Sequence, residues 1–234
     1  DPGRIQADAE RWGGEFAILG GDWSPFWHDA IDLLGMENLL VKMYEEPELV
    51  DAVLGHLVDY YAGVSERTFQ AAGDAIDIFF IGNDLGSQTG PIVGEELFRR
   101  FLLPHFARLA GLGHRYGKKV MLHCCGGFAP LIPCLAEAGI DALQSLQPDA
   151  RDMEPASLKR NYGKIMVFNG CVDSHNALIA GTPATVTEAT RRVLDAMMPG
   201  GGFILSPSHD YLLEETPVEN VLAMYDTART FGTY

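Results

Sequence analysis

His123 and Cys125 close an apolar run, "VMLHCCGG" (120–127), that ends in a glycine pair. Two positions apart on an extended chain, their side chains project to one side, and Cys124 between them projects to the other. Imidazole and thiolate are natural zinc ligands, and a catalytic zinc site needs three protein ligands and one open position. The pair has a second reading, with His123 as a hydrogen-bonding or proton-transfer group and Cys125 as a small buried hydrophobe. His209 in "SPSHD" (206–210) is a candidate third ligand. It is equally a general acid or a substrate contact, since imidazole titrates near neutral pH with little tuning. Asp84 in "GNDLG" (82–86) is a candidate catalytic carboxylate, suited to a metal-bound water, a substrate amine or a pyrrole N–H. Its bland alternative is a loop cap.

Around these stand candidate substrate contacts. Asn83, Gln144 and Gln147 lie at the ends of apolar runs and are expected to line a mouth. Asp173 in "NGCVDS" (169–174) either orients a histidine or caps the next turn. Trp23, with Phe26 and Trp27, makes an aromatic cluster that stacks on a flat ring or serves as core and loop anchor. Cys134 and Cys171 lack ligand spacing, and His28, His56, His105, His114 and His175 read as ordinary helix or surface residues. "PGGG" (199–202) is not followed by Lys-Ser/Thr, so it reads as a tight turn rather than a phosphate loop.

The elements that must position these groups alternate along the chain. Apolar runs at 15–21, 76–86, 118–127, 140–148, 164–171 and 202–210 read as strands. Helical patterns fill 35–73, 94–117, 130–139, 153–163, 182–201 and 216–232. Pro47 starts a helix, Pro104 breaks or kinks one, and Thr182-Pro183 and Thr216-Pro217 read as cap-and-start pairs. Strand and helix in alternation at this spacing specify parallel βαβ units. No G-x-G-x-x-G follows the first strand, which argues against a dinucleotide-binding sheet. Polar, chemically capable residues at nearly every strand end instead match the C-terminal rim of a (β/α)₈ barrel. Six strands are visible where such a barrel has eight. No linker or repeat interrupts residues 1–234, so a single domain is expected.

Several segments together resemble the uroporphyrinogen decarboxylase superfamily. They are "GNDLGSQTGPIV" (82–93), "KKVMLHCCGGFAPLIPCLAEAGIDALQSLQP" (118–148), "NGCVDS" (169–174), "PGGGFILSPSHD" (199–210) and "ETPVENVLAMYD" (215–226). The resemblance runs from about Gly20 to Asp226 and implies a (β/α)₈ barrel. It also implies that the N-terminal part of the fold, with the first barrel strands, is missing from this sequence. The family has two chemical branches. Decarboxylases act on tetrapyrrole acetate groups without metal or cofactor. The other branch transfers methyl groups between corrinoid proteins and small acceptors, and holds zinc through His-x-Cys and a third ligand near the last strand. His123-Cys124-Cys125 matches His-x-Cys. Where thiol-dependent members carry a Cys as third ligand, this chain has "SPSHD", which brings His209 or Asp210 there. The resemblance therefore favours zinc as cofactor, with cobalamin supplied only by a partner corrinoid protein, and family members are often homodimers.

Composition bounds the partners. The formal net charge of −15 argues against nucleic acid. No apolar stretch is long enough to span a bilayer. Four cysteines, two of them adjacent, make a poor disulfide framework, so a reducing, cytoplasmic location is expected. The chain starts at Asp1 without an initiator Met, which suggests a trimmed start. Three function classes remain: zinc-dependent methyl transfer, a metal-free carboxy-lyase acting on a porphyrinogen or related acidic ring, and a non-catalytic ligand-binding barrel.

Overall fold

The computed structural model describes residues 2–233. In chain order the elements are α1 (Pro2–Trp12), β1 (Leu19–Gly20), α2 (Phe26–Leu34), α3 (Met36–Glu45), α4 (Pro47–Ala72), β2 (Ile78–Gly82), β3 (Gly86–Ser87), β4 (Gly90–Pro91) and α5 (Glu95–Leu97). After a π-helical turn at Phe98–Leu102 come α6 (Leu103–Arg115), β5 (Lys119–His123), α7 (Ile132–Glu137), β6 (Ala142–Leu146), α8 (Pro155–Tyr162) and β7 (Val167–Val172). A second π-helical segment at Ser174–Ile179 precedes α9 (Pro183–Met197), β8 (Phe203–Pro207) and α10 (Val218–Phe231). Six strands form one sheet in the order β1-β2-β5-β6-β7-β8, and β1/β2, β2/β5 and β7/β8 pair in parallel. That order is sequential apart from the small antiparallel β3–β4 hairpin, as consecutive βα units require. Among the described residues no helix is long and apolar enough to cross a membrane.

The chain divides into two compact units. The first comprises residues up to Asp84, Val93–His123 and Pro133–Ala142. Its strands β2 and β5 are apolar on both faces, with Phe79, Ile81, Val120 and Leu122 fully buried and Ile78 and Phe80 on the other face of β2 half-buried. The 26-residue α4 buries Val50, Leu54, Val58, Ala62, Ser65, Phe69 and Ala72, a stripe at helical spacing. Phe26 meets Phe106 edge-on at 5.1 Å, and Phe69 meets Phe79 in the same way at 5.1 Å. Each such fully buried side chain contributes on the order of 2 kcal/mol of transfer free energy.

Asp141 clamps this unit at the base of β5. It accepts the Val120 N–H at 2.9 Å and the Lys119 ammonium at 2.8 Å, and lies 2.7 Å from His114 Nε2. Burial alone would raise its carboxyl, but the hydrogen bonds from Lys119, His114 and Val120 win and hold it below the usual range. A carboxyl depressed in the folded state stabilises the fold above its unfolded pKa of about 3.9, and that stability drains away as pH falls through the folded value. Asp141→Asn is therefore expected to lower stability at neutral pH and to flatten the decline below about pH 4. Urea melts of both proteins across the acid range check this; parallel acid limbs would refute it.

The second unit comprises Leu85–Ile92, Cys124–Ile132 and residues from Leu143 onward. Its core includes Val172, Leu178, Val186 and Met224, all essentially buried, with Leu205 and Ala223 packed against them. Thr182 caps α9 in a full capping box with Thr185, and Pro183 stands at the helix start, as the sequence indicates. The parallel expectation for Thr216 differs. Pro217 itself occupies the N-cap of α10, and no side chain caps that helix.

Other boundaries shift for local reasons. The first strand shrinks from the expected 15–21 to two residues, because Gly21 adopts φ +96° and ends it. β5 stops at His123, since Gly126 turns the chain at φ +81°. The kink expected at Pro104 is realised as the π-helical turn just before it, where the missing proline N–H is absorbed by re-spaced hydrogen bonds. The helices expected over 35–73 are α3 and α4, divided at Glu46, with Pro47 starting the second as the sequence indicates. The helices α1 and α2, the β3–β4 hairpin and the Ser174–Ile179 segment were not among the expected elements.

Candidate metal centre

Strand register brings the first two chemical groups together. β2 pairs with β5 so that Gly82 stands opposite His123. The ladder runs one bond further, with Asn83 N–H donating to the His123 carbonyl at 3.1 Å. Asp84, the next residue, then places Oδ1 3.5 Å from His123 Nε2. His123 is nearly buried, at 8% exposure. Cys125 follows two residues later. The ligand atoms of Asp84, His123 and Cys125 all lie within 4.8 Å of one another. An imidazole nitrogen, a thiol sulfur and a carboxylate oxygen are each first-rate zinc donors, and three of them are what an open catalytic site uses. The donor set thus fits zinc.

Cys124 points elsewhere, and its buried Sγ accepts the Leu85 N–H at 3.3 Å. The glycine pair of "HCCGG" is a docking surface for the hairpin. Gly127 N–H donates to the Ser87 carbonyl at 2.8 Å. A Cβ on Gly126 would stand 2.6 Å from the Gly86 oxygen and 2.8 Å from the Ser87 nitrogen. Glycine is required there both by close approach and by positive φ.

Trp23 forms a wall beside His123, with ring centroids 5.3 Å apart, and meets Phe80 at 5.0 Å. Its indole lies flat against Gly82, where any Cβ would fall inside the ring. At 37% exposure it stays partly open to solvent, whereas Phe26 and Trp27 are wholly buried core. Gly82→Ala is expected to push the indole off His123 and cost about 1–3 kcal/mol. A shift in tryptophan fluorescence alongside a lowered melting temperature checks this; an unchanged emission maximum would refute it.

Several expected contacts turn out to hold the frame. Asn83 is fully buried, its Oδ1 accepting the Trp27 N–H at 2.9 Å and its Nδ2 donating to the Ser24 carbonyl at 3.0 Å. This amide locks the 22–27 loop. Asp173 caps the Ser174–Ile179 segment, accepting the N–H groups of His175 and Asn176 at 2.9 and 2.8 Å. Gln147 accepts the Gly126 N–H at 3.0 Å, so it steadies the glycine turn. Gln144, half-buried, donates to the Asp210 carboxylate. His209 does not enter the Asp84–His123–Cys125 cluster; its Nδ1 accepts the Tyr211 N–H at 3.2 Å in the loop after β8. Burial pushes the Cys134 and Cys171 thiols up, the latter to about 12, so both stay protonated and inert. His28 was not singled out by sequence: its Nε2 lies 3.5 Å from Asp84 Oδ2, and no spacing signal links residues 56 apart.

The uroporphyrinogen decarboxylase (URO-D) family model matches residues 5–231. The chain belongs to that family. It is 22% identical over 228 residues to the methylcobamide:CoM methyltransferase MtbA of Methanosarcina acetivorans, a match covering 97% of this chain and 62% of that protein. It is 24% identical over 192 residues to the uroporphyrinogen decarboxylase of Azoarcus sp. strain BH72, covering 79% of this chain and 48% of that protein. This URO-D chain therefore spans about half to three-fifths of the length of these relatives. Among solved structures, a methyltransferase from Methanosarcina mazei superposes with a TM-score of 0.76 at 22% identity, over 98% of this chain and 63% of that one. That likeness shows the fold: the six βα units of this URO-D chain belong to a (β/α)₈ barrel of the family type.

Proposed function

We propose that this chain carries the metal site of a zinc-dependent methyltransferase that moves a methyl group between a corrinoid protein and a small acceptor. The observation that carries the reading is the gathering of Asp84, His123 and Cys125 ligand atoms within 4.8 Å. His123 and Cys125 supply nitrogen and sulfur, as the family motif implies. Asp84, rather than His209, supplies the third ligand. Zinc bound there would lower the pKa of a coordinated acceptor so that it is presented as the anion. The chain's own residues do the rest. The paired ends of β2 and β5 set the spacing of the carboxylate and imidazole, and Trp23 covers one side of the imidazole and limits water. The relative named for methylcobamide and CoM supports a corrinoid donor and a thiol acceptor.

The test is transfer from methylcobalamin to a small thiol, followed by the loss of the methylcobalamin spectrum, with zinc-loaded and chelator-treated protein compared. Zinc-dependent demethylation supports the reading. A second reading, a metal-free carboxy-lyase, rests on the 3.5 Å Asp84–His123 pair as a proton-handling couple and on the decarboxylase relative. Release of carbon dioxide from a porphyrinogen without metal, and no demethylation, would establish it instead.

A further inference from the structure

The metal reading leaves open what holds Asp84 in place. A carboxylate one residue beyond a strand end has no ladder to fix it. The last ladder bond is the one from Asn83 N–H, so the Asp84 amide needs another partner. It donates to His28 Nε2 at 3.1 Å. An amide N–H has only a proton to offer, so Nε2 must be the unprotonated nitrogen and the ring proton sits on Nδ1. The same lone pair faces Asp84 Oδ2 at 3.5 Å. Two acceptors make no bond, so the carboxylate gains nothing by rotating toward His28. Its attraction lies on the other side, where Oδ1 faces His123.

His28 is itself anchored. It stands in the first turn of α2, whose entry is tied down by Asn83 through the Ser24 carbonyl and the Trp27 N–H. The two segments thus clasp each other reciprocally: the side chain of residue 83 holds the backbone of 24–27, and the side chain of residue 28 holds the backbone of 84. We propose that His28 is a positioning residue for the metal site, fixing the backbone and carboxylate of Asp84 by accepting the Asp84 amide. The proposal rests on the metal reading above.

The experiment measures zinc affinity by competition with a chromophoric chelator, and coordination by the visible spectrum of the cobalt(II) form. His28→Phe keeps a ring of similar size without an acceptor; His28→Gln offers an amide oxygen that reaches the same N–H. The side chain is 35% exposed, so both are tolerable substitutions. H28F is expected to weaken zinc binding about 10- to 100-fold, the range found when a group supporting a ligand is removed, and to alter the cobalt bands. H28Q should recover to within about 3-fold of the parent, because the acceptor is restored. Melting of the metal-free proteins separates loss of the site from loss of the fold. Should H28F not fold, His28→Asn, whose amide is too short to reach, makes the same comparison against H28Q. Parent-like affinity in H28F, or equal weakness of H28F and H28Q, overturns the positioning role alone. Absence of zinc binding in the parent protein overturns the metal reading and this proposal with it.

Discussion

The purified chain should contain about one zinc ion by elemental analysis, and Cys125→Ser should remove it. The expectation is asymmetric between two adjacent cysteines, which makes it sharp. Cys125 offers its sulfur to the cluster with Asp84 and His123, whereas Cys124 is buried and receives the Leu85 N–H. Cys124→Ser keeps an acceptor for that N–H and should retain the metal. Cys125→Ser exchanges a soft thiolate for a hydroxyl that stays protonated. His123→Ala removes the nitrogen donor outright. Each of these ligand losses should weaken binding by at least about 100-fold, beyond what the removal of a supporting group costs. Parent protein that takes up no zinc after incubation would sink the metal site, and equal retention in C124S and C125S would sink its ligand assignment.

Gly126→Ala should be the most damaging single-methyl change around the site. Two costs combine. At φ +81° an alanine costs about 1–2 kcal/mol over glycine. The new Cβ also collides with the Gly86 carbonyl and Ser87 nitrogen, which are backbone and have no rotamer to escape into. Overpacking of that kind adds about 1–3 kcal/mol. The total of about 3 kcal/mol corresponds to a fall in Tm of about 10 °C for a chain of this size. Gly117→Ala is the control. Gly117 has φ +71° and nothing within 4 Å of the added methyl, so it should lose only the backbone part. Calorimetry of both variants distinguishes the two costs. Equal destabilisation would show that close packing of the hairpin on the glycine turn contributes nothing.

Much of this was legible in the chain. Near-continuous apolar runs separated by helical periodicity reveal buried parallel strands, because such strands are covered on both faces and need no polar alternation. The period-two geometry of an extended chain alone separates Cys124 from His123 and Cys125, and the Leu85 hydrogen bond fits that separation. Thr182 and Pro183 announce α9, since capping is satisfied within four residues.

What the chain could not show involves partners distant in sequence. That Asp84 sits beside His123 follows from the Gly82–His123 register, which is set by the whole apolar match of β2 to β5. Asn83 looks the same in sequence as its neighbour Asp84, yet it is buried by a loop that begins some 60 residues earlier. Asp173 carries a charge suited to catalysis and spends it on two amides of the next turn. Sequence by itself determined the alternation of strands and helices and the His-x-Cys pair, because these depend on short-range periodicity and covalent spacing, while the barrel class was implied by the family resemblance. Only the tertiary structure brings Asp84 to His123, and His28 to Asp84. Those contacts depend on long-range register and loop packing, which no local pattern encodes.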